Sequence, residues 1–345
     1  MTILVTGGAG FVGSNLCERL LALGHAVIAV DNFITGSPNN VKSLREHPNF
    51  KFFELDITKP EFPSAIADNF PQIDQIYNLA CPTGVPNCLT LAEEMIDACS
   101  FGTRQVLQLA CHYQSPIVVT STAEVYGDPE IFPQVETYNG NVSTTGPRSA
   151  YEEGKRFTEA LVAVFVRKYG LKAKIARLFN AYGPRMSSHD LRVNAQLIRQ
   201  ALSHRPLTVW GNGRQTRTFC YVDDTVNGLL TIMENGQAGA IYNLGSDEQI
   251  TIGELAQKII SLTGSQSKIK FVPHPINADH QGRQPNIEKL KSLGWQRSIS
   301  LEDGLVKMIA FIEQSEKSKT KNAAKSSHYL IKNDFLFIDA PQPSY

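Results

Sequence analysis

Along the first half of the chain, short apolar runs rich in β-branched residues alternate with stretches whose apolar positions recur every three or four residues. Ile3-Leu4-Val5-Thr6 leads into a glycine turn and an amphipathic stretch from Val12 to Leu23. Then come Ala26-Val27-Ile28-Ala29-Val30, Phe52-Phe53-Glu54-Leu55, Gln75-Ile76-Tyr77-Asn78-Leu79 and Pro116-Ile117-Val118-Val119-Thr120. Short apolar runs separated by helical periodicity predict βαβ units around a parallel sheet. Longer helical patterns run from about Leu91 to Tyr113 and from Tyr151 to Tyr169. Beyond Arg177-Leu178-Phe179-Asn180 the texture changes. Pro and Gly punctuate shorter elements, such as Pro206-Leu207-Thr208-Val209-Trp210 before a turn at Gly211-Asn212-Gly213. An α/β fold follows, with a doubly wound parallel sheet over 1–175 and a smaller mixed α/β unit over 176–313, interleaved with the first. The stretch from Ser315 to Ser327 is rich in Ser, Lys, Asn and Ala without an apolar stripe. Residues 314–345 therefore read as a flexible connector and a tail that ends apolar again, at Phe335-Leu336-Phe337-Ile338.

Composition removes several classes of function. A chain of 345 residues suits about two domains, and 42% hydrophobic with 19% charged residues is globular. Lys plus Arg and Asp plus Glu number 33 each, which leaves no basic surplus to neutralise a phosphate backbone or an anionic membrane. Neither nucleic acid nor membrane is an expected partner. No apolar run approaches the ~18 residues of a membrane span. Met1 to Thr6 passes straight into a strand without a basic leader, so a cytoplasmic protein is expected. The six cysteines (Cys17, Cys81, Cys88, Cys99, Cys111 and Cys220) show no C-x-x-C spacing, so neither a disulfide framework nor a metal site is expected.

Candidate chemistry begins at Gly8-Ala9-Gly10-Phe11-Val12-Gly13, which fits G-x-G-x-x-G, with Gly7 extending it. The motif follows a strand and opens a helix, where glycines let the backbone approach a pyrophosphate seated on the helix N-terminus. Asp31 ends the second strand, where a carboxylate accepts from an adenosine ribose. The following Asn32-Phe33 offers no arginine for a 2′-phosphate, so NAD is preferred to NADP. Farther on, Tyr151 and Lys155 stand i,i+4 and share one helix face. A nearby ammonium favours the phenolate, and such a tyrosine takes an alcohol proton as the same carbon is oxidised. Thr122-Ala123-Glu124 ends the strand upstream, placing a hydroxyl and a carboxylate at the carboxyl end of the sheet.

Taken together, four segments resemble the extended short-chain dehydrogenase/reductases that act on nucleotide sugars, and so imply a Rossmann-type sheet. They are the Gly7-to-Gly13 turn, the run Ser121 to Pro129, Tyr151-x-x-x-Lys155 and the run Arg177 to Arg185. The likeness covers roughly residues 2 to 313. Within the family, Glu124 to Glu130, Gly146-Pro147-Arg148, Gly183-Pro184-Arg185-Met186 and Gln215-Thr216-Arg217 are similar to the UDP-glucuronate decarboxylase branch. The resemblance implies that Gly7, Gly10, Phe11, Val12, Gly13, Asp31, Asn32, Asp56, Ile57 and Leu79 hold NAD together with Tyr151 and Lys155. It implies Tyr151 as base, Lys155 as its partner, Thr122 on the sugar hydroxyl and Glu124 as acid/base near C5. Asn180, Arg185, Arg217 and Arg283 would bind the UDP-sugar, and a homodimer built on the two long helices is implied as well.

Three positions depart from the family pattern. Ala123 stands where the decarboxylases carry Ser and the 4,6-dehydratases Asp. Cys99 takes the place of the Asn of an N-x-x-G-T run, which implies a slower or differently relayed proton transfer. The loop from Cys81 to Asn87 replaces a Pro-Ala-Ser-Pro sequence; Cys81 and Cys99, with no base at hand, read as packing residues. Conversion of UDP-glucuronate to UDP-xylose through a 4-keto intermediate is the expected reaction. A 4-epimerase needs no Glu124 and a dehydratase wants an acid at 123, though one working through Glu124 alone stays open. A NAD-binding sensor without turnover has no need of the Tyr151–Lys155 pair.

Overall fold

The computed structural model describes residues 1–84, 86–187, 190, 192–273 and 282–326. Six strands come first: β1 (Thr2–Thr6), β2 (Ala26–Asp31), β3 (Phe50–Glu54), β4 (Gln75–Asn78), β5 (Ile117–Thr122) and β6 (Ala173–Leu178). They are followed by β7 (Ala181–Tyr182), β8 (Leu207–Trp210), β9 (Thr216–Thr218), β10 (Cys220–Tyr221), β11 (Ile241–Leu244), β12 (Gln249–Thr251) and β13 (Ile269–Val272). Seven of these form one sheet in the order β11-β6-β5-β4-β1-β2-β3, and every pairing in it is parallel.

Side chains alternate across a strand, and here both faces are covered. Ile3 and Val5 of β1 enter one core with Leu16 and Leu20 of the Phe11–Ala22 helix and with Val226 and Leu229. Leu4, between them, points into a second core with Val106, Ala110 and Val162. The same alternation recurs in β2, where Val27 and Ala29 face one way and Ile28 and Val30 the other. Each such leucine, isoleucine or valine contributes about 1.5–3 kcal/mol by leaving water, which is why the runs are apolar at successive positions.

From β1 the chain winds outward to β2 and β3, then crosses back to β4, β5 and β6. The reversal leaves a crevice beyond the carboxyl ends of β1 and β4. The second unit does not begin cleanly near residue 175. β6 spans that point, and β11, drawn from the later half, pairs with it through Ile241↔Ile175 to Leu244↔Leu178. Asn243 of β11 anchors the junction: its Nδ2 donates to Gln134 O at 3.0 Å and Asn286 O at 3.1 Å, and its Oδ1 accepts from Tyr126 Oη at 2.7 Å.

Two local expectations differ from the structure. The pattern from Leu91 to Tyr113 is not one regular helix. Helices Ala92–Asp97 and Thr103–Tyr113 are joined by a π-helical turn, Ala98–Gly102. At the carboxyl end, a helix runs from Leu301 to Ser326 through the segment expected to be a connector. Residues 305 to 326 hold no Gly or Pro and are rich in Lys, Glu and Ala, so helical propensity continues where the apolar stripe ends. The apolar tail lies outside the described residues.

Candidate active site

The glycine loop leaves β1 at the crevice. Gly7 has φ 71°, and a Cβ there would lie 2.8 Å from Ala80 N on the chain leaving β4. A Cβ on Gly13 would lie 2.0 Å from Gly7 O, so only glycine lets the helix pack this tightly on the turn. The Phe11–Ala22 helix starts at Gly10 with no side-chain cap and no acid in its first turn. Its first N–H groups and positive dipole end are therefore open to an anion.

Asp31 ends β2 beneath this loop. Its Oδ2 accepts from Ala9 N at 3.0 Å and its Oδ1 from Phe33 N at 2.8 Å. Burial pushes its carboxyl above the usual range, with the backbone donors of Phe33, Ala9 and Gly10 acting against that. Asn32 Nδ2 donates to Asp56 Oδ2 at 3.1 Å, and Thr58 donates twice to Asp56 Oδ1. Burial alone would raise Asp56, but these donors outweigh it and hold the carboxyl below its ordinary value. Ile57 is buried, its carbonyl accepting from Gln105 Nε2 at 2.6 Å. Leu79 continues β4, bonded through its N–H to Thr6 O. The uncapped helix, the close-packed glycines and the acids at the ends of β2 and β3 fit a dinucleotide such as NAD.

On the other side of the crevice, β5 ends at Thr122, whose hydroxyl accepts from Glu124 N at 3.3 Å and so caps the 3₁₀ turn Ala123–Tyr126. The Ser149–Tyr169 helix brings Tyr151 beside Thr122, whose hydroxyl favours the phenolate. One turn on, Lys155 is buried and donates from Nζ to Thr120 O at 3.0 Å. Burial pushes the Tyr151 phenol up to about 12, while the Lys155 ammonium and the Thr122 hydroxyl pull it back. Burial works against the Lys155 charge, yet Cys81, Cys99, Tyr151 and Glu159 together drive its ammonium well above the ordinary range.

Glu124 is held by two arginines. Arg148 Nη2 pairs closely with its Oε2, and Arg283 Nη2 reaches the same oxygen at 3.2 Å. Arg283 is 4% exposed, and its Nε has no hydrogen-bond partner among the described residues. Sequence reasoning gave Arg148 no role. Its signal was the Gly146-Pro147-Arg148 run three residues before Tyr151, with Glu152 at i,i+4, to which its Nε pairs at 3.1 Å. Underneath, Arg177 grips Glu159 with two bonds of 2.9 and 2.7 Å, Glu159 accepts from Ser121 Oγ at 2.6 Å, and Arg177 Nη1 reaches Tyr126 Oη at 2.9 Å. This network fixes the turn that carries Glu124.

The remaining substrate candidates divide. Asn180 donates to Thr218 O at 3.3 Å, and Arg217 lies next to that residue on β9. A Cβ on Gly282 would stand 3.8 Å from Thr216 Oγ1, so the Arg283 segment borders the same strand. Arg185 is not drawn into this group. It has φ 71° and donates to Ser14 O at 3.1 Å and Glu18 Oε1 at 2.8 Å, tying its loop to the Phe11–Ala22 helix. Cys81 and Cys99, expected to be packing residues, meet beside Lys155 with their sulfurs 3.6 Å apart, Cys99 buried and Cys81 partly exposed. Among the described residues no group of three His, Cys, Asp or Glu is arranged to hold a metal ion.

A glycine loop at the switch point of a parallel sheet, facing a Tyr–Lys couple on the neighbouring helix, defines a dinucleotide-dependent enzyme acting on an alcohol carbon. Residues 3–245 match the NAD dependent epimerase/dehydratase family, and the chain belongs to it. It is 42% identical over 321 residues to UDP-glucuronic acid decarboxylase 1 of Danio rerio, covering 93% of this chain and 74% of that one. To UDP-glucuronic acid decarboxylase 6 of Arabidopsis thaliana it is 43% identical over 307 residues, 88% of this chain and 87% of the relative. Among solved structures, UDP-glucuronic acid 4-epimerase from Bacillus cereus, in complex with UDP-glucuronic acid and NAD, superposes with a TM-score of 0.82. It is 29% identical, and the match covers 91% of this chain and 100% of that one.

Proposed function

We propose that the protein converts UDP-glucuronate to UDP-xylose with release of CO₂. NAD, when bound, accepts the electrons and hydrogen of the sugar C4–H and later returns them, so no net oxidation results. Gly7, Gly10, Phe11, Val12, Gly13, Asp31, Asn32, Asp56, Ile57 and Leu79 are the residues that would hold it. Tyr151 removes the 4-hydroxyl proton, Thr122 orients that hydroxyl, and Lys155 stabilises the phenolate. Once C4 is a ketone, the C6 carboxylate is β to a carbonyl, and the electrons left by CO₂ spread into an enolate. Glu124 serves the proton transfer at C5. Arg283 and Arg148 bind the anionic end of the substrate, where a guanidinium fork suits a carboxylate or a phosphate. Asn180 and Arg217 complete the diphosphate site.

The observation that carries this reading is Glu124, clamped by two arginines beside the Thr122–Tyr151–Lys155 group. A 4-epimerase requires no carboxylate there. The test is incubation with NAD⁺ and UDP-glucuronate, read by the mass of the nucleotide sugar. Loss of CO₂, abolished in Tyr151→Phe and Glu124→Gln, supports it. An unchanged mass with a 4-epimer seen by sugar NMR replaces it with epimerisation. NAD binding without any change in the sugar points to a sensor.

A homodimer is part of the proposal. Ile96, Phe101, Phe157 and Val164 are exposed along the two long helical stretches, whereas Leu161 and Val166 turn inward to the core. Sedimentation giving only monomer at micromolar concentration rejects it. No helix among the described residues is long and apolar enough to cross a membrane. Six free cysteines suit the reducing cytoplasm that we assign to the protein.

A further inference from the structure

Cys81 and Cys99 arrive at Lys155 from different elements, the loop leaving β4 and the π-helical turn Ala98–Gly102. Their Sγ atoms are 3.6 Å apart, about 1.6 Å beyond a disulfide bond. The Cys99 side is fixed: its carbonyl accepts from Thr158 Oγ1 at 2.8 Å, and a Cβ on Gly154 would stand 3.3 Å from its sulfur. Cys81 is on a loop and partly exposed, so closing the gap falls to it. The hydrogen bond between the sulfurs, ahead of burial, pulls the Cys99 thiol below its usual range and pushes Cys81 above it; the Lys155 ammonium favours the same anion. Cys99 itself is buried, and the Cys81 thiol, which also lies 3.2 Å from Pro82 O, stands between it and solvent. Two sulfurs this close beside a cation, one of them on a partly exposed loop, are an arrangement that oxidants can link.

We propose that Cys81 and Cys99 are a reversible oxidation site whose disulfide removes the negative charge beside Lys155 and so changes the proton balance of Tyr151. With hydrogen peroxide as oxidant, the Cys99 thiolate attacks one peroxide oxygen, the O–O bond breaks and hydroxide leaves, giving a sulfenic acid. Cys81 sulfur then attacks the Cys99 sulfur, the S–O bond breaks, the departing oxygen leaves as water with the Cys81 proton, and the S–S bond forms. Two electrons pass from the sulfurs to the peroxide, and a dithiol reductant restores the pair. Tyr151 is faced by Lys155 from its own helix, by Thr122 and Glu124 from the end of β5, and by Cys81 from the loop after β4. Lys155 is faced in addition by Cys99 and Glu159. With the sulfur charge gone, the ammonium acts on Tyr151 with less compensation, and the phenolate is favoured.

This inference rests on Tyr151 and Lys155 being the catalytic couple, so its test has two arms. In the first, the NAD-loaded protein is treated with hydrogen peroxide without substrate, alkylated, digested and mapped by mass spectrometry. A peptide linking Cys81 to Cys99 is expected; dithiothreitol removes it, and Cys81→Ser and Cys99→Ser each lack it. Oxidation confined to other cysteines overturns the proposal and leaves the decarboxylase reading standing. In the second, the pH dependence of NAD reduction by UDP-glucuronate is followed by nicotinamide absorbance, which does not require CO₂ release. The acid limb of the oxidised protein is expected about one pH unit lower, returning after dithiothreitol. A linked pair with an unmoved limb overturns the proposal, as does a shift that persists in the serine variants. A linked pair and shifted limb without CO₂ release reject the decarboxylase reading alone.

Discussion

Replacing Lys155 by Met removes one charge from a side chain only 6% exposed while keeping much of its volume. The substitution isolates the electrostatic part of the couple with Tyr151. Burial holds the phenol at about 12 even with Lys155 and Thr122 opposing it. Relative to a free phenol that is about 2.7 kcal/mol against the phenolate. An ammonium and a phenolate about 5 Å apart, at an effective dielectric near 20, attract by about 3 kcal/mol. Without that attraction the phenolate becomes about 100-fold rarer, and the rate at a fixed pH falls by about the same factor. The phenolate is the active form, so the rate climbs with pH until Tyr151 ionises. A raised phenol therefore moves the climbing limb of the variant toward higher pH, by about two units. Initial rates of CO₂ release from UDP-glucuronate over a pH series provide the assay, with NAD affinity measured separately to show that the variant folds. A fall far short of about 100-fold, or a variant rate that no longer climbs with pH, would refute the reasoning. Lys155 would then act through its bond to Thr120 O, or through the cofactor, and not through charge on Tyr151.

Three further outcomes are expected. Arg177→Met leaves the largely enclosed Glu159 without its arginine beneath the Glu124 turn, with Ser121 and Lys155 as its remaining neighbours, and chemical denaturation should find the protein about 3 kcal/mol less stable. Arg283→Lys keeps the charge but loses the fork; KM for UDP-glucuronate should rise about 10-fold or more while NAD affinity by calorimetry stays close to that of the parent. Gly13→Ala forces a methyl group onto Gly7 O, and NAD binding by the same calorimetry should be lost.

The sheet was legible because its strands are covered on both faces, so Ile3-Leu4-Val5 and Val27-Ile28-Ala29 announce themselves without regard to partners. The Gly7–Gly13 turn, Asp31 and the Tyr151–Lys155 spacing were legible for a related reason: each is local, with its geometry fixed within one turn or one strand–helix junction. What the sequence hid is long-range. Arg148 and Arg283 meet on Glu124 across separations of 24 and 159 residues, and no periodicity encodes that meeting. The π-helical turn was hidden because a single wider turn between two helices has no residue-type signature of its own. Arg185 shows a local tie that the sequence did not announce. Its run resembles the family, but its guanidinium is engaged by Ser14 and Glu18.

The late return of β11 to the edge of β6 bears on how such chains can be recombined. A fragment ending near residue 180 would leave the β6 edge with bare N–H and C=O groups, a template for association with other copies. It would also lose Asn243, the acceptor for Tyr126 and the donor to Gln134 and Asn286. A chimera that exchanges the sugar-facing half between two relatives must therefore import a foreign edge strand into the host sheet and match four β6 neighbours as well as a buried asparagine. Single substitutions in the loops around Cys81, Ala123 and Arg283 carry no such requirement. New sugar preferences are thus far more accessible to this architecture through loop changes than through the shuffling of halves.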